Sequence, residues 1–132
     1  MNTAYQPQVE AYKSNQYHTA DRGTVLLMLY QGAIDFLRKA KDRLYEGDVA
    51  GKGTYISRAH AIISEFISTL NHEVGGDLSR TLEELYRFML DQLMQAHIDN
   101  DAKRLDEVIS LLETLQAGWQ GAVVQARQQG LL

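Results

Sequence analysis

Leu26, Tyr30, Ala33, Leu37, Ala40 and Leu44 recur at spacings of three and four, the mark of a helix with one apolar face. The same period returns three more times. Ile56, Ala59, Ile63, Phe66 and Leu70 share a face in a second stretch, and Leu78, Leu82, Leu85, Met89, Leu93 and Ala96 in a third. Leu105, Val108, Leu112, Leu115, Trp119 and Ala122 mark a fourth. The spacing predicts helices over about 24–46, 54–71, 77–98 and 101–127. Gly47, Gly51 and Gly53, the Gly75-Gly76 pair and Asp99-Asn100-Asp101 supply the breaks between them. Asp21 or Thr24 is placed to cap the first helix and Asp101 the last, while Ser79 gives the third only a loose capping signal. No alternating strand pattern persists. The pattern predicts an all-α protein, an antiparallel four-helix bundle, because short loops make sequential helices antiparallel neighbours. Helices of ~20 residues would be rods of ~30 Å, well matched in length.

The first twenty residues behave differently. Asn2, Gln6, Gln8, Ser14, Asn15 and Gln16 are interspersed with Tyr5, Val9, Tyr12 and Tyr17. This is too polar for a core helix, yet its tyrosines need a surface. Residues 1–20 therefore read as an irregular N-terminal strap lying on a single bundle domain, 21–132.

The apolar stripes differ in width. One buried face needs about 100° of helix surface. The fourth helix roughly meets that requirement and the first three exceed it. Val25, Leu27, Leu29, Ile34 and Phe36 widen the first, Tyr55, Ile62 and Ile67 the second, and Tyr86, Phe88, Leu90 and Met94 the third. Broad stripes arise when a helix touches two neighbours; they also arise when a groove binds an apolar partner.

Composition narrows the function classes. The chain has 132 residues, 45% apolar, with one proline (Pro7) and no cysteine. Proline is thus absent from all four helical stretches, where it would cost ~3 kcal/mol. The absence of cysteine rules out disulfides and thiolate chemistry and fits a cytoplasmic location. A net charge of −4 lacks the basic footprint of a nucleic-acid binder. The longest apolar run, Val25–Tyr30, is too short for membrane insertion.

Catalytic constellations are missing too. His18, His60, His72 and His97 form no i, i+4 pair, and none follows a glutamate by three. His60 and Ser64 lack an orienting acid. The stretch from Gly47 to Thr54 imitates a phosphate-binding loop, but its spacer is one residue short and no strand precedes it. The adjacent acids Glu83-Glu84 and Asp106-Glu107 do not face each other and read as solvated surface. No enzyme, cofactor or metal is expected.

The ordered series of residues resembles a known family. Leu27-Met28-Leu29-Tyr30-Gln31-Gly32-Ala33-Ile34, followed by Phe36-Leu37 and Ala40, is similar to the first-helix signature of the flagellin export chaperones, the FliS family. The similarity continues through Ile56, Ala59, Ile62-Ile63 and Leu70, then Gly75-Gly76, Leu85-Tyr86 and Leu93, and ends with Asp101, Leu105, Glu107-Val108, Leu112 and Trp119. Ala11-Tyr12 and Thr19-Ala20 also fall in register. The resemblance spans about 11–124. Departures are Asp21-Arg22 in place of the usual Ser-Pro, Gln31 in place of an acid or Asn, and His97 in place of an Asn.

The resemblance implies an antiparallel bundle that binds the disordered C-terminal segment of flagellin in the bacterial cytosol. It implies also that binding prevents premature polymerisation, that the flagellar type III export machinery is a second partner, and that the strap covers part of the groove in the free protein. Combined with the surplus apolar residues, it points to Leu29, Phe36, Ile62, Tyr86, Leu90 and Leu93 as client-binding, with Tyr12 as the strap anchor. The free protein is expected to be a monomer or weak dimer. The competing expectation is a structural bundle that homo-oligomerises through the same surplus faces.

Overall fold

The computed structural model describes residues 21–130, so the strap 1–20, its anchor Tyr12 and the last two residues lie outside the described residues. Four helices follow one another: α1 (Arg22–Tyr45), α2 (Val49–Thr69), α3 (His72–Asp99) and α4 (Ala102–Gln128). Each packs on two others, α1 on α2 and α4, and α3 on α2 and α4. Contacts between α1 and α4 run in opposite directions along the two helices. Asp21 meets Arg127, Gln31 meets Gln116, Arg38 meets Glu113 and Lys41 meets Asp106. The four-helix bundle is antiparallel, as the loop lengths predict.

The helix starts show why these segments fold locally. Asp21 accepts the amide of Thr24 at 2.7 Å, Asp48 that of Gly51 at 2.9 Å, and Asp101 that of Lys103 at 3.0 Å. Each cap pairs one amide that the first helical turn leaves open. Asp48 also explains why α2 starts at Val49 and not near Thr54. Its carboxylate initiates the helix early enough to carry Gly51 and Gly53 inside it.

The Gly75-Gly76 break is a bend within α3, not a loop. Gly76 has φ 52° and ψ −120°, a conformation that a side chain would strain. Ser79 is no cap. It is buried past the bend, and its hydroxyl donates to the Asn71 carbonyl at 3.0 Å.

The core takes Tyr30, Ile34 and Leu37 from α1, Ile63 and Phe66 from α2, Met89 and Leu93 from α3, and Leu105, Val108 and Leu112 from α4. Ile34 was part of the surplus width of α1, and the structure buries it because α1 is flanked on both sides. Leu78, two residues past the bend at Gly76, leaves the expected core face and is 59% exposed. Near the end of α4 the buried position is Val123, not Ala122.

Lys52 is 2% exposed. Its ammonium donates to the His97 carbonyl at 3.0 Å and to the Asn100 side chain. Both acceptors sit at the C-terminal end of α3, where unpaired carbonyls make a cation favourable. This latch ties the start of α2 to the α3–α4 turn, in which Asn100 adopts a left-handed backbone (φ 53°).

Candidate functional site: an apolar seam and an end cavity

Leu29 and Phe36 come from α1 and Ile62 from α2, and the fold brings these three together along the α1/α2 seam. Gly32 stands between the two α1 residues, and a Cβ there would lie 3.7 Å from Ile62 Cδ1, so Ile62 rests over the glycine. All three are partly buried, with their inner sides against the core. Farther along the seam Phe36 stacks on Tyr55 with ring centroids 6.2 Å apart. The Arg58 guanidinium covers both rings at 5.7 and 5.6 Å, and the Lys39 ammonium stands 5.7 Å from the Tyr55 centroid. Cations over aromatic faces are electrostatically held there.

The other three α1–α3 expectations divide. Leu93 is wholly inside the core of the free bundle, so it has no surface there open to a partner. Tyr86 is also a core residue, at 2% exposure, yet one side of it lines a cavity. Leu90 is partly buried on α3, away from the α1/α2 seam and on the same helical face as Met94 and His97.

The cavity, of about 300 Å³, opens at the end of the bundle where α1 begins and α2 ends. Leu26, Phe66, Leu70, Leu82, Tyr86 and Trp119 wall it, and Val74 and Leu78 form its rim. Val74 is 84% exposed and Leu78 59%. Its apolar lining suits it to side chains of a partner, because burying such surface yields ~25 cal/mol per Å². Behind the wall, Tyr30 and Tyr86 share a hydroxyl–hydroxyl hydrogen bond, and Trp119 Nε1 donates to the Tyr30 hydroxyl at 3.1 Å. Phe66 is stacked on Tyr30 at 4.6 Å and tilted against Tyr86 at 5.4 Å. Burial raises both phenols above the ordinary tyrosine value, so both are neutral at physiological pH.

Sequence reasoning placed Leu26, Leu78 and Trp119 on core faces and did not single out Val74. The signal for the rim was present in the glycine pair: a bend at Gly76 ends regular packing, and the apolar residues on either side of it are left at an edge. Among the described residues no cluster of His, Asp and Glu has metal-binding geometry, and no helix is long and apolar enough to cross a membrane.

The fold is similar to that of a flagellar chaperone from bacteria solved by crystallography. The TM-score is 0.75, with 21% identity, and the match covers 90% of this chain and 99% of the other. Sequence relatives are closer. The flagellar secretion chaperone FliS of Vibrio cholerae is 34% identical over 115 residues, covering 84% of this chain and 85% of that protein. The Bacillus subtilis protein of the same name is 33% identical, covering 95% and 92%. That of Salmonella typhimurium is 39% identical, covering 70% and 69%. The family model for the flagellar protein FliS matches residues 4–126. With the bundle, the caps and the ordered sequence match in agreement, this chain belongs to the FliS family of flagellar secretion chaperones.

Proposed function

We propose that this protein binds the disordered C-terminal segment of flagellin in the bacterial cytosol, keeping it from polymerising early and presenting it to the flagellar type III export machinery. The observation that carries the reading is an apolar surface, running from the α1/α2 seam to the end cavity, in a member of a secretion-chaperone family. A disordered client loses chain entropy on binding and must bury much apolar area in return. Val74 and Leu78, at the cavity rim, are 84% and 59% exposed, with ~1.5–3 kcal/mol available for complete burial of such a side chain. Leu29, Phe36 and Ile62 are partly buried already and contribute less per residue, as a shaped track for a helical segment.

Residues 1–20 join α1 at Asp21, near the wall that Leu26 forms. On this reading they compete with the client for the same apolar surface, with Tyr12 as the anchor. Calorimetric titration with a peptide of the flagellin C-terminus tests the function. Saturable binding with a negative heat-capacity change is expected. No binding, together with a stable dimer by light scattering, would favour a homo-oligomeric bundle instead.

A further inference from the structure

The bend at Gly76 divides α3 into a short first turn, capped by Asn71, and the long run that follows. In a continuous helix Asn71 and Ser79 would stand ~12 Å apart along the axis at 1.5 Å per residue. Here the Ser79 hydroxyl donates to the Asn71 carbonyl at 3.0 Å. His72 Nε2 likewise reaches the Glu83 carboxylate, at 3.6 Å. The first turn is therefore folded back on the run that follows, and two polar contacts cross the bend to hold it.

Each glycine has its own part in this arrangement. Gly76 supplies the backbone, with its positive φ. Gly75 supplies room, because a Cβ there would collide with Ser79 Oγ. The Asn71 carbonyl accepts the Gly75 amide at 2.8 Å as well as the Ser79 hydroxyl, and the Asn71 side chain accepts the Val74 amide at 3.1 Å. Packing adds little, since the only apolar side chain of the turn is Val74, 84% exposed. The His72–Glu83 pair faces solvent and such pairs are weak. Ser79 is 5% exposed, so its hydrogen bond is the better shielded of the two contacts across the bend.

The same turn forms the rim of the end cavity. Asn71, Val74, Gly75, Leu78 and Ser79 all line it. The rest of the wall, Phe66 and Tyr86 among it, belongs to the core and is held by packing. One part of the cavity is thus fixed by the bundle, and the other keeps its shape only while a polar tether holds.

We propose that Ser79 is a positioning residue for client binding: with Gly75 and Gly76 it clasps the Asn71–Gly76 turn in the conformation that shapes the end cavity. This role rests on the flagellin reading. Client side chains enter a rim that is already formed, so little ordering is left to do on binding. Without the Ser79 hydrogen bond the open forms of the turn prevail, and the apparent affinity falls with the fraction still clasped.

Ser79→Ala in the full-length protein tests the clasp. The amides of Val74 and Gly75, both bonded to Asn71, report the turn by NMR-detected hydrogen exchange. They should exchange about five- to tenfold faster, the worth of one hydrogen bond, with helical circular dichroism unchanged. Calorimetric affinity for the flagellin C-terminal peptide should fall about threefold or more. Gly75→Ala should weaken the wild type in the same way yet add little to Ser79→Ala, where Oγ no longer blocks the new methyl. Unchanged exchange at Val74 and Gly75 would overturn the clasp. Faster exchange with unchanged affinity, or full additivity of the two substitutions, would overturn the positioning role and leave the flagellin reading intact. A wild type that binds no peptide would overturn the flagellin reading, and the role with it.

Discussion

The hydroxyls of Tyr30 and Tyr86, 56 residues apart in sequence, meet inside the bundle, and Trp119 donates its indole N–H to the first of them. One hydrogen-bonded cluster thus joins α1, α3 and α4 directly behind the end cavity, with Phe66 of α2 packed against both phenols. Tyr30→Phe removes the shared oxygen and leaves the Tyr86 hydroxyl unpaired in the core. A loss of about 1–3 kcal/mol in urea unfolding is expected, the cost of stranding a buried polar group. The double variant Tyr30→Phe/Tyr86→Phe should lose less than the sum of the two singles, because it strands fewer groups. Trp119 is the only tryptophan, so its fluorescence reports the cluster without labelling.

The same pair makes the bundle sensitive to alkali. Burial raises both phenol pKa values above the ordinary 10.0, so above that pH the unfolded chain has released protons that the native state retains. The stabilisation from the neutral pair is complete below pH 10 and is lost as pH rises through the higher native values. Each hydroxyl adds a slope of up to ~1.4 kcal/mol per pH unit in that window. Unfolding free energies between pH 9 and 11 should fall more steeply for the wild type than for the double phenylalanine variant.

At the acid end Asp21 is the group to follow. The Thr24 amide, and then Arg127, hold its carboxyl below the ordinary carboxylate value. Its contribution is present above the unfolded value and disappears as pH falls through the lowered native one. Asp21→Ala should lower the melting temperature at pH 7 and bring the variant and the wild type together near pH 2, as thermal scans across that range will show.

Gly118 and Gly121 lie within α4 on its exposed side, and a Cβ at either would meet nothing within 4 Å. Gly118→Ala and Gly121→Ala should each stabilise the protein by roughly 0.5–1 kcal/mol through helix propensity alone. Gly53→Ala should do worse than either, because its new methyl would press on the His97 ring. Chemical denaturation of the three variants checks the order.

Deleting residues 1–17 should raise the affinity for the flagellin C-terminal peptide if the segment competes for the apolar surface, and calorimetry on the two lengths of chain measures it. Leu78→Asp should weaken the same binding by tenfold or more while leaving stability nearly unchanged, since Leu78 is mostly solvated in the free bundle. Leu93→Asp, by contrast, should unfold the protein, because it buries an unpaired charge.

The number, order and approximate ends of the helices were legible in the sequence, because period, capping and the absence of proline act over a few residues. Asp21 and Asp101 cap where a reading of local chemistry puts them. Family membership was legible too, in the order of residues from Leu27 to Trp119. What stayed hidden was the use of each surplus apolar residue. Ile34 and Leu93 went to the core, Leu29, Phe36 and Ile62 to a seam, and Val74 and Leu78 to the rim of a cavity. Periodicity gives the direction of a side chain from its own helix axis, but burial depends on what the neighbouring helices put there. Lys52 makes the point from the polar side, for its charge goes inside only because the end of another helix, 45 residues farther along the chain, turns a carbonyl toward it.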